Sequence, residues 1–166
     1  MIVVCALSSL ASVQRQYAPS HVVSLLSPGQ ACDDTIAPGA QMLTARFHDI
    51  AETLPPLIGA SKTEIERLLT FAGGWAAERP MLIHCWAGIS RSGAAAYIVA
   101  CAKKHGCEEQ IARTLRSRAP FATPNPLMVA LADGILERDG RMIAAIDRIG
   151  RGVDAGEGAP YELPID

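Results

Sequence analysis

A cysteine and an arginine six positions apart are the residues of this sequence best suited to covalent and anion chemistry. Cys85 follows a short apolar run, and a helical stretch begins near Ser92. The unpaired amides and the positive dipole end at a helix N-terminus favour an anion, here the thiolate form of cysteine, which is its nucleophilic form. We therefore expect Cys85 to act as a nucleophile at neutral pH.

Arg91 and the loop that connects it to Cys85 supply groups that can hold a phosphate. A planar guanidinium offers paired donors that match two phosphate oxygens, which a lysine cannot do. A lone cysteine after a strand is most often structural, but the joint pattern His84-Cys85-x5-Arg91-Ser92 predicts a cysteine-based phosphate site. Gly88 permits the tight curvature of the loop. The predicted phosphate-binding residues are Trp86, Ala87, Gly88, Ile89, Ser90 and Arg91.

Strand and helix patterns alternate along the chain and must position this loop. Short apolar, β-branched runs predict strands, and the capping box Ser61-x-x-Glu64 opens a helix with an apolar stripe. This alternation predicts an α/β fold with a mainly parallel sheet, as one domain over residues 1–150. From Arg151 the composition predicts a loosely ordered tail over 151–166. Strands are predicted over 2–7, 22–26, 42–47 and 81–84, and helices from residue 61, over 92–104, 108–118, 127–137 and 142–149.

The composition excludes several classes of protein. With 49% hydrophobic residues, 19% charged residues and a net charge of −2 over 166 residues, the chain is not intrinsically disordered and has no field that attracts nucleic acid or an anionic membrane. No window approaches 18 uninterrupted apolar residues, so no membrane span is predicted. An odd number of cysteines, five, indicates reduced thiols, and we expect a cytoplasmic protein.

The segment His84-Cys-Trp-Ala-Gly-Ile-Ser-Arg-Ser92 resembles the signature loop of the cysteine-dependent protein tyrosine phosphatases. Its Gly-x-Ser-Arg-Ser portion is most similar to the dual-specificity branch. Asp49 stands 36 residues before the cysteine, about where that branch carries its general acid, and Pro124-Asn125 resembles the segment whose asparagine braces the loop. The resemblance implies an α/β domain with four to five mainly parallel strands flanked by helices.

The resemblance also implies a role for each site residue. Cys85 would attack phosphorus to give a phosphocysteine, while Asp49 protonates the leaving oxygen and later activates water. Arg91 and the loop amides would stabilise the transition state. Ser92 would hydrogen-bond the sulfur, His84 would orient the loop, and Asn125 would support it. The mechanism requires no metal and no cofactor.

Other residues compete for some of these roles. Asp33, Asp34 and Glu52 could supply the general acid in place of Asp49. Cys101, His105 and Cys107 are close in sequence, but a fourth zinc ligand with recognisable spacing is missing. Trp86 could line the pocket mouth or pack under the loop, and Cys32 is a candidate partner for oxidised Cys85.

The expected substrate is a phosphorylated protein side chain or a small phosphoester. Relatives that act on inositol phosphates usually carry extra basic residues in the loop, whereas positions 86–90 contain none. The alternatives are a phosphatase of a phosphoinositide or nucleotide, or an inactive phosphoprotein-binding module. No nucleic acid or membrane partner is expected, and the sequence does not indicate an oligomeric state.

Overall fold

The computed structural model describes residues 1–32, 38–52 and 54–165. Strands and helices alternate along these residues, with one short 3-10 turn at Leu7–Ser9. The elements, in chain order, are β1 (Ile2–Ala6), α1 (Leu10–Tyr17), β2 (His21–Leu26), β3 (Gln41–Arg46), α2 (Lys62–Gly73), β4 (Met81–Cys85), α3 (Arg91–Lys103), α4 (Glu108–Arg118), α5 (Pro126–Ile135), α6 (Arg141–Ile149) and β5 (Tyr161–Leu163).

The five strands form one sheet in the order β3-β2-β4-β1-β5. Strands β1 to β4 are parallel, with Ala6 opposite Cys85 and Ser24 opposite His84, and β5 pairs antiparallel with β1. The carboxyl ends of four parallel strands therefore meet at one edge of the sheet, where ligands of such sheets commonly bind. Cys85 ends the central strand at this edge.

Helices cover both faces of the sheet. One face carries the large cluster that joins alternate strand residues to α2, α3, α5 and α6, and the other carries Leu10 and Val13 of α1 against residues of β1, β2 and β4. The strands between these layers read as continuous apolar runs because both of their faces are buried. None of the helices within the described residues is long and apolar enough to cross a membrane.

Helix α3, which follows the cysteine loop, is the most deeply enclosed helix segment near the site. Its residues from Arg91 to Cys101 are all buried. The alanines at 94–96 are fully buried and allow the helix backbone to lie close to its neighbours. Arg91 and Ser92, at the start of this helix, are consequently held on a rigid support.

The structure confirms the α/β fold and the predicted strands and helices, with shifts of one or two residues at their ends. The predicted capping box is present, since the Ser61 hydroxyl and the Glu64 carboxylate both satisfy backbone amides at the start of α2. Helix α1 was not predicted because its eight residues carry only a narrow apolar stripe, Leu10 and Val13.

The prediction of a loosely ordered tail over 151–166 is wrong for residues 161–163. Residues 161–163 form β5, where Leu163 is fully buried and Tyr161 is 7% exposed. The segment is ordered there because the outer edge of β1 leaves backbone groups unpaired, and β5 satisfies them.

Candidate active site

Cys85 lies at the end of β4, buried at the floor of a pocket. Its side chain is 2% exposed, and its Sγ is 3.1 Å from the hydroxyl oxygen of Ser92 in the first turn of α3. The sulfur therefore faces the amino end of a helix and a hydroxyl that can donate to a thiolate. Both features stabilise negative charge on sulfur.

The cysteine loop, residues 85–91, turns sharply where it passes the end of β1. Gly88 has a φ of +71°, and a Cβ there would lie 2.7 Å from the Ala6 nitrogen and 2.9 Å from the Cys5 carbonyl carbon. Only glycine fits this combination of a left-handed conformation and close backbone approach. A hydrogen bond of 3.1 Å from the Leu7 amide to the Trp86 carbonyl joins the loop to the segment after β1.

Arg91 reaches back under the loop to the ends of β2 and β3. Its Nη1 donates to the Phe47 carbonyl at 2.8 Å and to the Ser27 hydroxyl at 3.3 Å. Its buried Nε has no hydrogen-bond partner among the described residues and lies 3.9 Å from Asp49 Oδ2. The guanidinium is thus fixed at one nitrogen and retains donors for a bound anion.

Asp49 lies on the loop after β3 and is fastened to two neighbouring segments. Its Oδ1 accepts 2.7 Å hydrogen bonds from the Ser90 hydroxyl and from the Asn125 amide. A 2.6 Å bond from the His48 amide to the Ile58 carbonyl closes the base of the same loop. The carboxylate is therefore held at the rim of the pocket beside the cysteine loop.

Asn125 supports both the loop and the aspartate. Its backbone amide donates to the Ser90 carbonyl at 3.3 Å, its side-chain amide donates to Asp49, and its Oδ1 accepts from the Met128 amide at 3.0 Å as the N-cap of α5. The residue thus joins α5 to the site, since two of these hydrogen bonds reach Ser90 and Asp49 and the third caps the helix.

The pocket above Cys85 has a volume of about 530 Å³. Five segments surround it: the end of β2, the Asp49 loop, the cysteine loop, the start of α3 and part of the C-terminal segment. Trp86 lines the pocket and is 62% exposed, so it lies at the mouth rather than under the loop. The lining residues are Ser27, Gln30, Asp49, Cys85, Trp86, Ala87, Ile89, Ser90, Arg91, Ala155 and Gly156.

The pKa values of His84 and Cys5, which are buried near Cys85, are shifted from their usual range. Burial lowers the pKa of His84 to about 4, so its ring is neutral at physiological pH. Burial, followed by the negative charge of Cys85 and then that of Glu157, raises the pKa of Cys5 to about 12. Cys5 is therefore an inert thiol, and His84 contributes no positive charge to the site.

The structure brings the predicted site residues together at one edge of the sheet. Among the competing acids, Glu52 is exposed and does not line the pocket, whereas Asp33 and Asp34 lie outside the described residues. Cys32 packs against the apolar cluster that contains α1, not in the pocket. No group of three or more His, Cys, Asp or Glu side chains within the described part of the chain is arranged to hold a metal.

Sequence reasoning missed four lining residues: Ser27, Gln30, Ala155 and Gly156. Ser27 and Gln30 follow β2, and the other two belong to the segment predicted as a loose tail. No local pattern marks them, since they reach the pocket only through the packing of distant segments. The catalytic roles of Cys85, Arg91, Asp49, Ser92, His84 and Asn125 stay predictions.

No protein-family model matches the chain, and the curated proteins include no significant match. Solved structures do match. DUSP15 is 16% identical with a TM-score of 0.59, over 90% of this chain and 92% of that chain. The PTP-2 phosphatase of Cydia pomonella is 23% identical with a TM-score of 0.57, over 79% and 83% of the two chains. PTPMT1, solved in complex with PI(5)P, is 13% identical with a TM-score of 0.55, over 85% and 87%.

These likenesses show the fold. The chain has the α/β fold of the tyrosine and dual-specificity phosphatases, which confirms at the level of the fold the resemblance found in the signature loop.

Proposed function

We propose that this protein is a phosphomonoester hydrolase that acts through a phosphocysteine intermediate. One observation carries the proposal: Cys85 Sγ lies at the floor of a pocket, 3.1 Å from the Ser92 hydroxyl, with the Arg91 guanidinium and the Asp49 carboxylate on the same lining. A nucleophile, an anion clamp and a proton donor in one pocket suit attack on a phosphate ester.

In the first step the Cys85 thiolate attacks phosphorus and the ester P–O bond breaks. The electron pair of that bond goes to the leaving oxygen, which takes a proton from Asp49. Arg91 and the loop amides stabilise the charge on the three phosphoryl oxygens. The products are a phosphocysteine and a free alcohol or phenol.

In the second step a water molecule attacks phosphorus and gives a proton to Asp49. The S–P bond breaks, its electron pair returns to sulfur, and inorganic phosphate leaves. The Ser92 hydroxyl supports this step because it can donate to the departing thiolate. The neutral His84 supports a positioning role rather than a proton-transfer role.

A phosphorylated protein side chain is the substrate that we favour, with tyrosine and serine or threonine both open. The likeness to PTPMT1 with PI(5)P keeps a lipid phosphomonoester as the second candidate. Arg91 is the one cationic side chain among the described residues that line the pocket, which favours a single phosphate.

Hydrolysis of para-nitrophenyl phosphate by the purified chain, with and without a chelator, tests the proposal. We expect metal-independent turnover that Cys85→Ser abolishes and that Cys107→Ser, a substitution at a partly buried thiol away from the pocket, preserves. Turnover retained in Cys85→Ser would refute the mechanism. If the wild-type chain binds a phosphotyrosine peptide but does not hydrolyse it, the protein is a binding module instead.

A further inference from the structure

The C-terminal segment from Gly152 to Gly158, here called the C-terminal strap, crosses the cysteine loop. At one end the Gly152 amide donates to the Thr123 hydroxyl at 3.1 Å, and the Val153 amide donates to the Pro120 carbonyl at 3.0 Å. At the other end the Gly158 amide donates to the Ala87 carbonyl at 2.8 Å. The strap is therefore fixed on both sides of the pocket.

The two end glycines of the strap have no space for a side chain. A Cβ on Gly152 would overlap the carbonyl group of Phe121, and a Cβ on Gly158 would overlap the Phe121 ring and lie 3.0 Å from the Gly88 carbonyl oxygen. Such close contacts hold the strap at a fixed height above the loop. Strand β5, which follows it, locks the chain into the sheet.

The middle of the strap forms part of the pocket wall. Ala155 and Gly156 line the pocket together with Trp86. A Cβ on Gly156 would meet no atom within 4 Å, so this stretch faces open space rather than core. The exposed indole of Trp86 provides an apolar face on which a flat ring can stack.

The charges near this wall do not suit a second phosphate. The strap carries Asp154 and Glu157, and Glu157 is held by a 2.6 Å hydrogen bond from the Ser8 hydroxyl. Arg151 is paired with Asp154 at 2.8 Å. Because Arg91 is the one cation among the described residues that line the pocket, and Glu157 adds a negative charge on the strap nearby, the arrangement suits one phosphate and disfavours a neighbouring one.

We propose that the C-terminal strap is the substrate-selecting wall of the pocket. Together with Trp86, it selects a phosphate monoester of a flat, apolar alcohol, such as the tyrosine side chain of a phosphopeptide, over a substrate that carries an adjacent phosphate. This inference rests on the proposed phosphatase function and adds a specificity element that lies outside the signature loop.

Charge substitutions at Ala155 test the inference, because this residue lines the pocket and carries no catalytic group. The assay compares kcat/KM for a phosphotyrosine peptide with that for a water-soluble, short-chain phosphoinositide bisphosphate. We expect the wild-type chain to favour the peptide at least tenfold. Ala155→Lys should raise the bisphosphate-to-peptide ratio and Ala155→Glu should lower it, with at least a tenfold spread between the two variants.

The matched controls are Ala144→Lys and Ala144→Glu, at an exposed position of α6 away from the pocket. Their ratios should lie within twofold of the wild-type ratio. An equal spread at positions 144 and 155, or a wild-type preference for the bisphosphate, would overturn the role of the strap while the phosphatase function stands. If no phosphate ester is hydrolysed by the wild-type chain, the proposed function fails and the inference fails with it.

Discussion

The side-chain amide of Asn125 donates a 2.7 Å hydrogen bond to Asp49 Oδ1, across 76 positions of sequence. A second bond of 3.1 Å from the same amide to the Ile50 carbonyl fixes the backbone beside the aspartate. Asn125 thus holds Asp49, the proposed general acid, at the rim of the pocket.

This relationship leads to a prediction for the leaving group. Asp49→Asn should lower kcat/KM about 100-fold for phenyl phosphate, because general acid catalysis contributes roughly 10²–10⁴-fold, and much less for a fluorinated phenyl phosphate whose phenolate leaves unaided. Equal losses for both esters would exclude Asp49 as the acid.

Asn125→Ser should reproduce this pattern in weaker form, with about a tenfold loss for phenyl phosphate. Serine remains a good N-cap for α5 but cannot reach Asp49 as the amide does, so the variant separates the two roles of Asn125. Urea unfolding should show a stability change of less than about 1 kcal/mol. Equal losses for the two esters would assign Asn125 a purely structural role.

Arg91→Lys should reduce kcat/KM by at least 100-fold, or on the order of 3 kcal/mol in transition-state binding, because an ammonium cannot replace the planar pair of donors. Arg46→Lys is the matched control, since Arg46 is exposed and donates to the Gln30 carbonyl at 2.8 Å near the pocket. It should retain activity within about threefold. A loss below tenfold for Arg91→Lys would contradict its role as the phosphate clamp.

Gly88→Ala should cost activity by roughly 100-fold, since a displacement of about 1 Å in a catalytic loop has that effect. The new Cβ would meet the backbone of Cys5 and Ala6, and the left-handed φ adds strain. Gly134→Ala, at a helical position with open space, should keep full activity. Comparable activity in both variants would show that the loop does not need its close approach to β1.

Arg138→Met should destabilise the fold by about 3 kcal/mol, because the buried Glu108 carboxylate loses its partner at 3.3 Å and keeps Arg141 at 3.8 Å as its remaining ion pair among the described residues. Adding Glu108→Gln should restore much of this loss. Arg113→Met removes an exposed pair with Glu109 and should cost less than about 1 kcal/mol. Urea titrations give the free energy of unfolding of the two single variants and the double variant. Similar losses for Arg138→Met and Arg113→Met would contradict a stabilising role for the buried Arg138–Glu108 pair.

The free energy of unfolding should fall as the pH drops from about 6.5 to about 4. Burial lowers the folded pKa of His84 to about 4 from 6.5, so the unfolded chain binds a proton in this window that the folded protein excludes. The contribution of this one group is on the order of 3 kcal/mol. In His84→Gln the fall should be smaller by that amount, whereas His105→Gln, at an exposed position, should follow the wild-type curve. If the free energy of unfolding of His84→Gln falls with pH as steeply as that of the wild type, the lowered pKa of His84 is refuted.

The α/β fold class, most strand and helix positions and the candidate site residues of the cysteine loop could be predicted from the sequence. Those features depend on local signals: apolar periodicity, the capping box at Ser61, and the spacing from Cys85 to Arg91 within one strand-loop-helix unit. Such a unit places its residues together whatever the rest of the chain does, because the connection is short.

The features that join distant segments could not be predicted from the sequence, because they depend on tertiary packing. The Asn125–Asp49 hydrogen bond, the position of Ser27 under Arg91, and the passage of the strap over Ala87 each bring together residues more than 60 positions apart. Strand β5 has only three residues and is ordered by the open edge of β1, which is a property of the assembled sheet. The secondary-structure preferences of individual residues do not predict such contacts, since these contacts stabilise the fold only after the sheet and helices have packed.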